Sequence, residues 1–214
     1  MASEIVAGRG WGQTASGATF IVQGRFEGEN LVAWLQQRRP AVQEVVACGL
    51  AIGRALMAAH DVGVIHGDVT PNNILRTSTA EFVLTDLGFS HIAGQPVANT
   101  VGGTPGFLAP EQIFRVFGCW GPATDIFGLG GVLYFLITGH APFRTGNVPA
   151  MLAATLSQVP FDSVSVYAPG APEPLVTLID LCLCKDVAGR PQTMAEVHTE
   201  LRRIVEPSTH RTEL

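Results

Sequence analysis

The hydrophobic pattern at the start of the chain is that of short β-strands. An apolar, β-prone run occupies residues 20–23, after a glycine-containing turn at residues 16–18. Together with Ile5-Val6 and Trp11, this run predicts a β-hairpin. Shorter apolar runs within residues 65–85 predict further strands around a polar loop.

Further along, the apolar positions take up helical spacing. Residues 40–60 carry apolar side chains three and four residues apart, which predicts one buried helical face. The members of this face are Val45, Cys48, Ile52, Ala55, Leu56 and Ala59. Pro40 fits the first turn of that helix. Other helices are predicted over residues 31–37, 125–138, 148–156, 174–184 and 193–205.

Strands that come first and helices that follow indicate an α+β fold that is mainly helical. Residues 93–106 are rich in Gly, Thr and Pro, which predicts an exposed loop. The length of 214 residues suits one domain, or a large lobe of one.

Composition and charge exclude several classes of protein. Hydrophobic residues make up 47% of the chain and charged residues 14%, as in a sequence that folds. The net charge is −5 and no basic run exceeds two arginines, which argues against a nucleic-acid or anionic-membrane surface. The longest apolar run, within residues 126–138, is too short for a membrane span, so no membrane segment is predicted. No signal peptide is visible at the N-terminus.

The four cysteines carry no metal-site or redox spacing. Cys48, Cys119, Cys182 and Cys184 include no Cys-x-x-Cys pair. We therefore expect free thiols and a location in the reducing cytoplasm.

Candidate chemistry is concentrated in one polar stretch and a short segment after it. The stretch is His66-Gly67-Asp68-Val69-Thr70-Pro71-Asn72-Asn73, and the segment is Thr85-Asp86-Leu87-Gly88. Alone, a loop of Asp, Pro and Asn would be interpreted as a turn, because these residues favour turns for local reasons. Three further motifs follow in order: Gly103-Thr104-Pro105-Gly106-Phe107-Leu108-Ala109-Pro110-Glu111, Asp125-Ile126-Phe127-Gly128-Leu129-Gly130, and Arg190-Pro191.

These five motifs, in this order, resemble the protein kinase family, and most closely the bacterial type of Ser/Thr protein kinase. The resemblance runs from about residue 5 to residue 204. It implies a kinase-like helical C-lobe over residues 31–206, an N-lobe hairpin and hinge over residues 1–30, and a tail over residues 207–214. It also implies ATP and Mg²⁺ as cofactors, and a protein substrate with Ser or Thr hydroxyls.

The resemblance assigns a role to each polar residue of the first two motifs. Asp68 is expected to be the catalytic base, and Asn73 and Asp86 the ligands of Mg²⁺. Thr70 stands where the family often has a lysine that contacts the transferred phosphate. Asp86 is thus a cofactor-binding residue as well as a metal ligand.

Further residues are expected to bind adenine or to support the site. Gln23, Gly24 and Phe26 match the hinge, and Leu75 matches part of the adenine floor. Supporting roles are expected for His66, Gly88, Thr104, Glu111, Asp125 and Arg190. Among these, Gly88 is expected to allow an unusual backbone conformation, and Glu111 is expected to pair with Arg190 in the interior.

The chain departs from the family pattern at several points. Gly67 replaces an arginine that often pairs with an activation-segment phosphate, so Thr100 is not expected to act as a phosphorylation switch. The sequence starts after the point where the family has its glycine-rich loop and phosphate-pairing lysine, and no lysine precedes Lys185. We therefore expect the isolated chain to be slow or inactive, with most of the N-lobe supplied upstream or by a separate partner.

Three interpretations follow from the sequence. The first is the catalytic lobe of a Ser/Thr protein kinase, favoured by retention of Asp68, Asn73 and Asp86. The second is a pseudokinase, a scaffold or interaction module, favoured by the departures at Gly67 and Thr70. The third, a helical domain with chance motif matches, is disfavoured by the order of the five motifs.

Overall fold

The part of the chain that the structure describes begins with short strands and continues with helices. A computed structural model describes residues 8–25, 27–94 and 102–206. Strands β1 (Gly8–Gln13) and β2 (Thr19–Gln23) form an antiparallel hairpin. The predicted hairpin is confirmed, although Ile5-Val6 lies outside the described residues. The fold is α+β and mainly helical, as predicted.

Short strands hold both ends of the polar loop found in the sequence. Strand β4 (Val64–Ile65) precedes the loop and pairs with β7 (His91–Ile92). Strand β5 (Ile74–Thr77) follows the loop and lies between β3 (Gly28–Asn30) and β6 (Phe82–Leu84) in an antiparallel sheet. Residues 66–73 are therefore fixed at both ends by hydrogen-bonded backbone.

Eight helices occupy the described residues. Their bounds are α1 (Leu31–Gln37), α2 (Val42–Asp61), α3 (Pro110–Ile113), α4 (Pro122–Thr138), α5 (Val148–Leu156), α6 (Val164–Tyr167), α7 (Glu173–Cys182) and α8 (Met194–Val205). The sequence pattern predicted all except the four-residue helices α3 and α6. Pro40 was wrongly placed in the first turn of α2, since it precedes the N-cap residue Ala41.

Helix α4 is the centre of the core. It is buried along most of its length and packs against α2 and α7. Gly128 permits this burial next to the polar loop, because a Cβ there would lie 2.9 Å from the carbonyl oxygen of Val69. That contact outweighs the modest cost of glycine inside a helix.

Helix α2 packs against α8 and α4 and buries the face that its spacing predicted. All six apolar members of that face are buried. By length and composition α2 could also cross a membrane, but 56% of the qualifying window is buried inside the fold, as in the core helix of a globular domain.

The predicted loop over residues 93–106 is only partly exposed. Within its described portion, residues 102–105 are half-buried and Gly106 is buried. The prediction of an exposed loop is wrong there, because Thr104 bonds to the polar loop. Thr100 lies outside the described residues.

A buried ion pair joins α3 to the segment that precedes α8. The two terminal nitrogens of Arg190 donate to the two carboxylate oxygens of Glu111 over 2.8 and 2.9 Å, and both side chains are fully buried. Thr124 donates a further hydrogen bond to Glu111 over 2.9 Å. Arg190 also donates to the carbonyl oxygens of Ala123 and Cys184. Each charge is thus surrounded by partners, as burial requires.

Removing the acid of this pair is expected to destabilise the fold strongly. Glu111→Ala leaves the Arg190 guanidinium buried without its counter-charge, so the free energy of unfolding should fall by about 3–5 kcal/mol. Urea denaturation of the purified chain measures this. As a control, Glu200→Ala removes a surface partner of Arg203 and should cost less than about 1 kcal/mol. An unchanged melting temperature in Glu111→Ala would contradict a structural role.

Candidate active site

One carboxylate fixes the start of the polar loop. Asp125, in the first turn of α4, accepts hydrogen bonds from the backbone N–H groups of His66 (2.9 Å) and Gly67 (2.8 Å). The Nε2 atom of His60, at the end of α2, lies 2.8 Å from the same side chain. The carboxylate is fully buried, so these donors replace the water that it loses.

Asp68 is held by three donors. Its Oδ1 atom accepts from the backbone N–H and the hydroxyl of Thr104, each over 3.0 Å. Its Oδ2 atom accepts from Nδ2 of Asn73 over 2.8 Å, and Asn73 also donates to the Asp68 carbonyl oxygen. Asp68 is only 8% exposed. The carboxylate is therefore oriented before any substrate arrives.

Asp86 is placed near Asn73 because the preceding residue, Thr85, is hydrogen-bonded to Asn73. The backbone N–H and the hydroxyl of Thr85 both donate to the Asn73 carbonyl oxygen, over 2.8 and 3.0 Å. The Thr85 carbonyl oxygen in turn lies 3.1 Å from Nε2 of His66. Asp68, Asn73 and Asp86 are thus brought to one end of the small sheet. Asp86 itself is exposed.

The unusual backbone conformation predicted for Gly88 belongs to Asp86 instead. Asp86 has a φ of +66°, in the left-handed region, whereas Gly88 is not among the residues of positive φ. The small size of Gly88 serves a different purpose. Its N–H donates to Oδ1 of Asp86 over 3.0 Å, and a Cβ at Gly88 would approach that oxygen to 2.9 Å.

Thr70 has a buried hydroxyl with an unused hydrogen-bonding capacity. The residue is 1% exposed, and within the described structure its Oγ1 atom has no hydrogen-bond partner. Its carbonyl oxygen accepts from the Asn73 N–H over 3.1 Å, which closes the turn of residues 71–73.

The adenine-side residues are only partly described. Gln23 ends β2 and Gly24 is half-buried, whereas Phe26 lies outside the described residues. Leu75 is half-buried on β5, opposite Val83. Their roles stay predictions.

Two residues that bond to Asp125 or to the polar loop carry no signal in the sequence pattern. His60 looks like an ordinary residue in the last turn of α2, yet it reaches Asp125 across 65 positions. Gln112 follows the Ala109-Pro110-Glu111 motif, and its amide donates to the Gly67 carbonyl oxygen over 2.7 Å. Neither contact belongs to a local repeat, so spacing could not indicate it.

The five sequence motifs agree with comparison to known proteins. Residues 2–201 match the protein kinase domain family. The chain belongs to the protein kinase family. The resemblance inferred from five motifs is therefore confirmed, and it extends to the bacterial Ser/Thr type.

The similar proteins are bacterial Ser/Thr protein kinases. This kinase domain is 32% identical over 196 residues to the serine/threonine-protein kinase PknK of Mycobacterium tuberculosis. The aligned region covers 90% of this chain and 18% of PknK. It is 33% identical over 178 residues to PkaA of Streptomyces coelicolor, covering 80% and 32% of the two chains. For PknL of Mycobacterium tuberculosis the values are 29% over 191 residues, with 87% and 47% covered. The chain thus spans about a fifth to a half of the length of these relatives.

Asp125 is expected to be essential for the order of the polar loop in this kinase domain. In Asp125→Asn the amide offers one acceptor where two backbone N–H groups need one each, so the free energy of unfolding should fall by about 3 kcal/mol. Urea denaturation measures the loss, and amide exchange at His66 and Gly67 should accelerate. The matched control is Asp186→Asn. Asp186 accepts from the Ala188 N–H at a helix N-cap, where Asn serves equally well. Equal stability of the two variants would refute the role of Asp125.

Proposed function

We propose that this chain carries the phosphoryl-transfer centre of a Ser/Thr protein kinase. The observation that supports the proposal most strongly is the oriented carboxylate of Asp68, with Asn73 bonded to it and Asp86 alongside. A domain kept only as a scaffold has no need of this arrangement. The substrate would be a protein that presents a Ser or Thr hydroxyl.

Asp68 would receive the proton of the substrate hydroxyl. A carboxylate has about four lone-pair sites, and three are used by Thr104 and Asn73, so the remaining one is on Oδ2. As the hydroxyl oxygen forms its bond to the γ-phosphorus of ATP, its O–H bond breaks and the proton passes to Oδ2. The bond between the γ-phosphorus and its bridging oxygen breaks in line, and ADP leaves.

The residues beside Asp68 suit Mg²⁺ and the phosphates of ATP. Mg²⁺ takes few protein ligands, all hard oxygens, and keeps phosphate oxygens and water for the rest. Asn73 spends its Nδ2 atom on Asp68, which leaves its amide oxygen for the metal. Asp86 supplies an exposed carboxylate. Bound Mg²⁺ would neutralise charge on the phosphates during transfer.

Lys185 is not a candidate for pairing with the phosphates. It is the only lysine in the sequence, and its Nζ atom donates to the carbonyl oxygens of Ala154, Ser157 and Val159, in the last turn of α5 and just beyond it. The proposal therefore includes a small lobe, upstream in a longer product or on a separate chain, as the source of a phosphate-pairing lysine.

Because Lys185 is fully engaged by backbone carbonyl oxygens, the alternative is also favoured: a pseudokinase that serves as a scaffold without catalysis. The two proposals differ in their response to nucleotide. A ligand that binds only the folded state must raise the melting temperature.

Mg²⁺-dependent binding of ATP is the test of the proposed function. With excess Mg-ATP the melting temperature of the wild-type chain should rise, and Asp86→Asn should abolish the rise because the metal loses the negative charge of its carboxylate ligand. Asp68→Asn should retain the rise but lose phosphoryl transfer to a Ser/Thr peptide, measured with labelled ATP. The control is Asp61→Asn, at the exposed end of α2. Absence of any stabilisation at all ATP concentrations would support the scaffold.

The unpaired hydroxyl of Thr70 gives a second prediction. Thr70→Val keeps the shape of the side chain and removes a buried polar atom without a partner, so stability should be unchanged or should rise by about 1 kcal/mol. If the hydroxyl contacts the transferred phosphate, kcat should fall by about tenfold or more. Thr155→Val is the control, because its buried hydroxyl does have a partner, the Met151 carbonyl oxygen. Undiminished kcat in Thr70→Val would remove Thr70 from the catalytic set.

A further inference from the structure

Both polar groups of the Gly67 backbone are bound by side chains. The N–H donates to Oδ1 of Asp125 over 2.8 Å, and the carbonyl oxygen accepts from Nε2 of Gln112 over 2.7 Å. Gly67 has a φ of +75°, and a Cβ there would lie 2.9 Å from the Phe89 carbonyl oxygen and 3.2 Å from the Trp120 ring. Any other residue would be strained in this conformation and would have to displace these neighbours.

The Gln112 amide has a second bond that ties it to its own segment. Its Oε1 atom accepts from the Ala109 N–H over 3.0 Å at the start of α3. Gln112 is 7% exposed, so neither bond competes with bulk water. A buried amide with both ends engaged has one well-defined orientation.

The bond to Gly67 acts directly on the backbone of Asp68. The Gly67 carbonyl and the Asp68 N–H belong to the same planar peptide unit, so fixing one fixes the other. Thr104, in the segment that leads to α3, binds the Asp68 carboxylate. The segment from Thr104 to Gln112 therefore holds Asp68 at two points. Thr104 binds its side chain, and Gln112 binds the peptide unit that contains its backbone N–H.

We propose that Gln112 is a positioning residue for phosphoryl transfer, which sets the backbone of Asp68 through the carbonyl oxygen of Gly67. The inference rests on the proposed function for its effect on rate. The placement of the Asp68 backbone by Gln112 can be tested without any catalytic activity. The hydrogen bond between Gln112 and the Gly67 carbonyl oxygen joins two neutral groups, so it holds the polar loop without the help of a charge.

Two variants separate the two bonds of Gln112. Gln112→Met removes both and keeps the length of the side chain. Gln112→Glu keeps an acceptor for Ala109, but its ionised form has no proton to donate to Gly67. When its carboxyl is protonated, it regains a donor. The matched control is Gln192→Met, since the Gln192 amide likewise makes two hydrogen bonds to backbone groups, in its case to the carbonyl oxygens of Val187 and Arg190, away from the loop.

The first measurement is hydrogen exchange of the Asp68 amide, followed by NMR on the full chain. In Gln112→Met the amide should exchange about tenfold faster than in wild type, because its peptide unit has lost an anchor. In Gln112→Glu the excess should shrink as the pH falls and the carboxyl becomes protonated, whereas in Gln112→Met it should not. Gln192→Met should match wild type. If Gln112→Met does not fold, the pH dependence of Gln112→Glu decides alone.

The second measurement is steady-state transfer to a Ser/Thr peptide. A misplaced base should lower kcat by about tenfold to a hundredfold and change KM for ATP by less than about twofold. Unchanged exchange in both variants overturns the inference whatever the activity. Faster exchange with unchanged kcat also overturns it, because the loop would then be held without consequence for the reaction. If the wild-type chain transfers no phosphate, exchange alone decides whether Gln112 positions Asp68, and the proposed function fails only if Mg-ATP also leaves the melting temperature of the wild-type chain unchanged.

Discussion

The site depends on the burial of one carboxylate, that of Asp125, at the start of the central helix. Burying a charge is costly unless donors surround it, and here two consecutive backbone N–H groups of the loop are among those donors. The loop cannot leave its position without exposing or orphaning the charge. The free-energy cost of moving the loop is therefore determined mainly by the buried Asp125 carboxylate of α4. The short strands on either side need only hold the two ends of the loop.

Three consecutive residues in the first turn of α4 hold three different parts of the fold. The carbonyl oxygen of Ala123 accepts from Arg190, the hydroxyl of Thr124 donates to Glu111, and Asp125 accepts from the loop. The segment before α8, the segment around α3 and the polar loop are therefore all bonded to the same helical turn. Gln112, one residue after Glu111, links the segment around α3 directly to the polar loop by donating to the Gly67 carbonyl oxygen. A shift of α3 would disturb both the ion pair and the backbone of Asp68.

The sequence predicted most helices and the protein kinase family, because both leave local signals. The buried face of α2 repeats every three or four residues, and the order of the motifs indicated the family and, through it, the candidate residues Asp68, Asn73 and Asp86. What it could not predict lies in contacts between distant segments. The bond of His60 to Asp125 spans 65 positions and that of Gln112 to Gly67 spans 45, and neither has a period. An unusual backbone conformation was expected at Gly88 because it is the glycine of the motif, whereas the fold imposes a positive φ on Asp86.

Two features around Asp68 oppose stability, and this bears on the choice between enzyme and scaffold. The left-handed backbone of Asp86 costs about 1–3 kcal/mol. The Thr70 hydroxyl, which has no hydrogen-bond partner among the described residues, costs up to about 1 kcal/mol through lost solvation. A glycine at position 86 or a valine at position 70 would relieve either cost without disturbing the core. A scaffold gains nothing by keeping them, whereas an enzyme needs an exposed carboxylate for a metal and an unsatisfied donor for a phosphate oxygen. The location of both costs within the same loop and its neighbour therefore favours catalysis.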